Sequence, residues 1–298
     1  MSRLAVTLSS DAGLEQTRLS NPRRLLWRRL RRTPAVVIGL SVVVGLTICA
    51  VFAPLLAPAD PLYQNYSAVL QDPVGDHLLG TDNLGRDILS RLLYGTRTSL
   101  LVGVVAVGIA TVIGVAMGLI AGYVGGWVDD LLMRISDALF AFPALLLILA
   151  IASALGPSIL NTMAAIGIVF SPSYARMIRG EVLTLRERDF VIAARALGAG
   201  DTRIMLRHIL PNGLSPIIIL ASLSVSGAIL TEATLSFLGV GTPPPNPSWG
   251  SMLQNGYQYL QIAPWLSIFP GVAIFVSVLA FNLLGDGLRT VLDPRLRT

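Results

Sequence analysis

Hydrophobic and polar positions alternate along this chain in blocks rather than in short periods. Apolar runs over 35–53, 99–122, 135–155, 159–175, 214–238 and 264–284 are separated by polar, charged or proline-rich segments. Each run is near the ~20 residues an α-helix needs to cross a bilayer. The pattern therefore predicts an all-α polytopic membrane protein with about six transmembrane helices. The first run follows a long polar tail and is itself long enough to span, which favours an uncleaved helix over a shorter signal segment. Pro54, Pro58 and Pro61 close it. The chain divides into a tail over 1–33, a first helix with a polar segment over 34–97, a core over 98–288 and a second tail over 289–298.

The largest polar interruption inside the core is the loop 176–213. Within it, residues 189–197 are rich in helix formers. Phe190, Ala193, Ala194 and Leu197 take the i, i+3, i+4, i+7 spacing of one apolar helical face. Gly198 and Gly200 break that helix, and Asp201 or Thr202 can cap a second one over 203–210. Pro211, with no N–H to give and a ring that clashes with the preceding turn, is expected to end it. A short amphipathic helix held at a membrane surface suits docking into a groove on another protein; an ordinary solvated loop has the same pattern.

Composition narrows the class. Hydrophobic residues make up 53% and charged residues 13%, and the mean hydropathy is +0.70, outside the range of soluble domains. All 22 basic residues are arginines. A phosphate-binding P-loop needs a lysine, so this chain does not bind ATP in that way and any ATP-driven work belongs to a partner. Cys49 is the sole cysteine and His77 and His208 lie far apart, which argues against an internal disulfide or a Cys/His metal site.

The arginines also give an orientation. Eight stand in the N-terminal tail, one at Arg134, seven from Arg176 to Arg207 and three beyond the last span, all on the side that holds both termini. Arg86, Arg91 and Arg97 alone fall on the other side. The positive-inside rule then puts both termini and the loop in the cytoplasm. Charge that brackets spans in this way points to membrane topology, not to nucleic acid. Trp27, among the N-terminal arginines, reads as an interfacial anchor.

Other features follow in chain order. In HLLGTDNLGRDILSRLLYG, Leu84, Ile88, Leu89, Leu92 and Leu93 share a helical face; Thr81 or Asp82 is placed to cap a helix lying on the outer surface before the second span. Gly103, Gly108, Gly114 and Gly118 permit close helix packing. Residues 123–134 read as a short turn. Asp137 reads as an inner-interface group, and Pro143 as a bend or packing feature within the third span. Glu232 is the acidic residue set well inside a predicted span, where an ionised group costs ~2.5–3.5 kcal/mol. It is a candidate for the translocation path or a subunit interface, or else a helix-end residue reaching water. Pro243, Pro244, Pro245 and Pro247 form an outer connector, while Asn282 and Asp286 are expected to end the last span. No nucleophile, base and orienter emerge together, so the chain reads as a transport subunit and not an enzyme.

Ala193, Ala194, Gly198, Leu210 and Pro211 resemble in spacing the cytoplasmic "EAA" loop of the membrane subunits of ABC importers, with Ile192 where that motif prefers Glu and His208 where it prefers Ile. The stretch around Leu84 resembles the C-type permease subunits of the dipeptide, oligopeptide and nickel importer group. ATLSFLGVGTPPPNPSWGSML and FPGVAIFVSVLAFNLLGDGLRTVLDPRLR are similar to the closing region of the same group. The resemblance implies a type I ABC importer transmembrane domain in the bacterial cytoplasmic (inner) membrane. It also implies partners: a second homologous permease, two ABC ATPase subunits and an extracytoplasmic substrate-binding protein.

ATP and Mg would sit on the ATPase subunits, with no cofactor on this chain. The coupling residues implied are Ala193, Ala194, Gly198, Ala199, Gly200, Asp201, Thr202, Arg203, Leu210 and Pro211, the helix over 201–210 moving as the ATPases close. The substrate implied is a short peptide, with nickel chelates or glutathione-like compounds as alternatives. The rivals from other classes are a self-sufficient secondary transporter relaying protons through Glu232 and Asp137, and a membrane scaffold.

Overall fold

The computed structural model of the protein describes residues 30–292, in which every regular element is helical. Trp27, the arginines before residue 30 and Arg295 and Arg297 lie outside the described residues. Helix α1 (Pro34–Val51) opens with proline in its first turn, where the missing N–H is harmless. It packs along the last helix, α10 (Trp265–Leu292), so closely that a Cβ on Gly39 would come within 2.7 Å of Ala280 O and Leu284 N.

Helix α2 (Ile88–Val124) corrects the expectation of a surface helix followed by a separate span. Its 37 residues form one continuous helix, about 55 Å long at 1.5 Å per residue. Nothing between Leu93 and Ser99 breaks it, because Gly95 alone only weakens a helix. The cap is neither Thr81 nor Asp82 but Asp87, whose side chain accepts from Ser90 N.

The expected third span is also corrected. Residues 126–155 form two helices, α3 (Gly126–Phe140) and α4 (Ala144–Leu155), bent by 93° at Pro143. Proline lacks the N–H that a continuous helix would need there and pushes the preceding residue away from helical geometry. The turn expected over 123–134 shrinks to Gly125, at φ +71.

Helix α5 (Ile159–Leu185) extends well past the expected end of the fourth span. It carries Arg176 and Arg179 as helical residues, not as part of the loop. It forms the most extensive helix pair in the molecule with α2. Gly114, Gly118 and Gly122 line that seam, where added Cβ atoms would fall 2.3 Å from Ser171 O, 2.3 Å from Ala175 O and 2.9 Å from Val182 Cβ. Small residues at this spacing let two backbones meet.

Helix α8 (Leu214–Phe237) matches the fifth expected span. Among the described residues α1, α2, α8 and α10 are long and apolar enough to cross a membrane, and the bent pair makes a fifth if it counts as one span. α5 falls short of that apolarity, so the described residues give four or five of the six expected spans; its buried side is mostly apolar, with Met163, Ile166, Val169, Tyr174 and Ile178. Asn282 and Asp286 do not end α10, which continues to Leu292. Gly285 and Gly287 there are packing positions against Leu223 and Val36, and Asn282 accepts from Ser226 at 2.8 Å.

The main core lies among α2, α5, α8 and α10, with Trp249 of the short helix α9 (Trp249–Tyr257) joining it, and includes Val102, Ala106, Ile166, Tyr174 and Ile229, all fully buried. A separate apolar cluster sits at the end of α2 and α5 where the polar loop attaches.

Candidate functional site

The loop is a folded unit. Helix α6 (Asp189–Ala196) leads through Gly198, at φ +81, into α7 (Asp201–Ile204). The cap position of α7 is Gly200, and no side chain caps it. Asp201 instead lies in the first helical turn, where a carboxylate suits the helix dipole, and Thr202 is exposed in that turn. The chain then widens into a π-turn over Met205–Ile209 and passes through Leu210, Pro211 and Asn212 in helical form. Pro211 therefore does not end the helix. The wider turn accommodates the proline ring, and the break comes at Gly213, directly before α8.

One side of this unit is built into the spans. Val191 and Ile204 are fully buried and Ile209 is 1% exposed, clustered with Leu119 of α2, Ile178 and Val182 of α5 and Ile217 of α8. Ala199 and Leu210 pack against the same cluster. The face expected to be apolar points away from it: Phe190 is 41% and Leu197 88% exposed, with Ile192 also outward. Ala193 is exposed and Ala194 half-buried, while Arg203 and Pro211 are exposed. Val191 and Ile204, which anchor the unit, do not belong to the expected face.

Polar ties reinforce the attachment. Tyr123, near the end of α2, donates to Asp201 Oδ1 at 2.6 Å. Arg186 donates to Gly122 O at 2.9 Å. Arg179 grips Asp129 with two hydrogen bonds of 2.5 and 2.6 Å. Arg176 pairs with Asp137 at 2.6 Å and lies 4.2 Å over the Phe140 ring. Both partners of that last pair are exposed, so it orients more than it stabilises. Tyr123 escapes sequence reading because a tyrosine at the end of a span reads first as an interfacial anchor.

Glu232 stands toward the opposite end of the bundle. It is fully buried within this chain, and its carboxylate accepts from Ser99 of α2 at 3.2 Å, from Ser236 at 2.7 Å and from Thr242 at 3.2 Å. These hydroxyls join two helices and the start of the proline-rich connector at one point. Glu232 and Asp137 therefore lie far apart, each with its own partners.

The HLLGTDNLGRD stretch forms a second polar knot at this end. Asp82 accepts from Leu84 N, Arg86 N and Arg86 Nε at 2.9, 3.0 and 2.7 Å, with Arg91 Nε at 3.5 Å. Arg91 also donates to Pro61 O at 3.0 Å, and His77 Nδ1 lies 3.0 Å from Asp87. Gly85, at φ +69, lies so close to Asn65 that a Cβ would overlap its carbonyl oxygen. This signature is thus the scaffold that seats the polar segment on the start of α2. A groove of about 710 Å³ opens at the loop end between α5, α8 and α10, lined in part by Glu181, Arg188, Ser215 and Arg289.

Comparison with known proteins agrees with this architecture. Residues 114–298 match the family model described as the binding-protein-dependent transport system inner membrane component. Residues 21–73 match the N-terminal TM domain of oligopeptide transport permease C. The dipeptide transport system permease protein DppC of Alkalihalophilus pseudofirmus is 45% identical over 93% of this chain and 91% of its own length. The glutathione transport system permease protein GsiD of Pectobacterium atrosepticum is 46% identical over 93% of this chain and 92% of its own. The di/tripeptide transport system permease protein DppC of Pseudomonas aeruginosa is 44% identical over 93% of both chains. Among solved structures, a chain from the inward-facing MetNI methionine ABC transporter shares the fold at a TM-score of 0.56. It is 20% identical, and the match covers 68% of this chain and 97% of that one. This chain belongs to the family of inner membrane components of binding-protein-dependent transport systems, as a multi-pass permease subunit of an ABC importer.

Proposed function

We propose that this permease forms one half of the translocation path for di- or oligopeptides, beside a second homologous permease. Two ATPase subunits would dock at the inner loops of the two permeases, one of them on the 186–213 part of this chain's loop, and an extracytoplasmic binding protein would deliver the substrate. The observation that carries this reading is the two-sidedness of the loop: Val191, Ile204 and Ile209 are built into the spans while Phe190 and Leu197 stand exposed on the other side. Exposed apolar groups on a rigid, arginine-bearing loop suit a protein partner.

ATP and Mg would act on the partner subunits; closure of those subunits would push the loop, and the attached ends of α2, α5 and α8 would carry the motion into the membrane. Both termini and the loop would face the cytoplasm, as the arginine distribution supports. Glu232 would hold α2, α8 and the outer connector together as these helices move, at the rim of the path or of the permease interface.

The dipeptide and di/tripeptide names of relatives at 44–45% identity support a peptide substrate. A relative at 46% identity named for glutathione supports a second reading, a γ-linked tripeptide. The test is uptake into proteoliposomes holding both permeases and both ATPases, supplied with the binding protein and labelled substrates. ATP-dependent uptake of a dipeptide over glutathione is expected. Uptake of glutathione alone replaces the substrate assignment, and no ATP-dependent uptake of any peptide overturns it.

A further inference from the structure

Between the two helices of the loop the covalent connection is short and rich in glycine. Gly198 sits at φ +81 with open space where a Cβ would stand, and Gly200 likewise meets nothing. Arg195 lies in the last turn of α6 and Asp201 in the first turn of α7, one on each side of that link. Tyr123 reaches both from the end of α2. Its hydroxyl donates to Asp201 Oδ1 at 2.6 Å across 78 residues of sequence, and the Arg195 guanidinium stands within electrostatic reach of that hydroxyl and of Asp201. Its ring packs on the cluster that buries Val191 of α6 and Ile204 of α7. Phenylalanine would keep the ring contact, so the hydroxyl is the group that ties α7 to the end of α2, with Arg195 of α6 beside the bond across the glycines.

We infer that Tyr123 is a positioning residue for energy coupling: its hydroxyl makes α6, α7 and the end of α2 one rigid body, so that a push on the loop reaches the span instead of bending the chain at Gly198 and Gly200. This inference rests on the reading of the loop as the ATPase-docking element. The bridge lies at the surface and contributes little to overall stability. Its effect is on the geometry of transmission.

The full transporter, reconstituted with wild-type chain, Tyr123→Phe, Asp201→Ala and the double variant, gives two readouts: substrate taken up per ATP hydrolysed, and hydrogen exchange of the amides over 189–210. Each single change is expected to lower uptake per ATP about three- to tenfold, the scale of losing one hydrogen bond, and Tyr123→Phe, which lies outside the docking loop, should leave bound ATPase unchanged. The double variant should be no worse than either single, as expected for one shared interaction. Exchange across α6 and α7 should accelerate in all three. An unchanged uptake-to-ATP ratio in Tyr123→Phe overturns the coupling role, and unchanged exchange overturns the bridge itself. Persistence of ATPase binding after Leu197→Asp would contradict the docking reading alone, since exchange reads the Tyr123 bridge independently of any partner.

Discussion

Val191 and Leu197 belong to the same short stretch of the loop and face opposite ways: Val191 is completely buried against α2 and α5, whereas Leu197 is 88% exposed. The first fixes the loop to the membrane helices and the second remains for something else. Burial predicts the energetic difference. Val191→Ala should cost about 1–3 kcal/mol, from lost burial and the cavity left behind. Leu197→Ala should stay within about 0.5 kcal/mol. Thermal unfolding of the detergent-solubilised chain, read as a shift in Tm, checks both. Equal shifts would mean that the loop is not anchored as described.

Gly198 and Gly200 separate in the same spirit. Gly198 needs the left-handed region, at φ +81, while Gly200 sits at φ −70, which any residue adopts. Alanine at 198 is expected to cost about 1 kcal/mol through backbone strain, since no neighbour blocks its side chain. At position 200 alanine is expected to be neutral or slightly stabilising. Protease susceptibility of the loop would rank the two variants. A Gly200→Ala chain that is cleaved faster than Gly198→Ala contradicts this account.

Glu232 offers hydrogen-bond acceptors to three hydroxyls in a site closed to solvent. Glu232→Ala removes every acceptor and leaves those buried groups unpaired, a loss of about 1–3 kcal/mol. Glu232→Gln keeps an acceptor oxygen and nearly the same shape, so it should retain most of the stability. A melting comparison of the two variants, with accessibility of the 239–248 connector to protease as a second readout, tests this. Equal destabilisation would point to the negative charge itself as the feature that matters.

The apolar runs made the spans legible because hydropathy at ~20-residue length is set by the bilayer and needs no knowledge of tertiary contacts. The two loop helices were legible for a related reason, since glycine and the 189–197 periodicity act locally. What stayed hidden depended on distant partners. The burial of Arg91 in the first turns of α2 depends on its ion pair with Asp82 and its hydrogen bond to Pro61 O. The sharp bend at Pro143 cannot be told from a gentle kink by composition. The inward face of α6 differs from the expected one because helical spacing marks Phe190, Ala193, Ala194 and Leu197 as one apolar face, yet only tertiary packing decides which side is covered. The Tyr123–Asp201 contact joins residues 78 apart and leaves no local trace. Pro211 looks like a stop in the sequence because the π-turn that accommodates it exists only in the folded chain.

The most direct test of the account is co-purification of the tagged chain in mild detergent from cells that express the whole transporter, comparing wild type with Leu197→Asp and Phe190→Asp. Both substitutions fall on exposed positions and leave Val191, Ile204 and Ile209 in place, so the subunit should insert and keep its partner permease. The account predicts ATPase subunits with wild type and their loss, by tenfold or so for a buried charge at an interface, in both variants. A full complement of ATPase on Leu197→Asp and Phe190→Asp, or none on a correctly inserted wild-type chain, would contradict it.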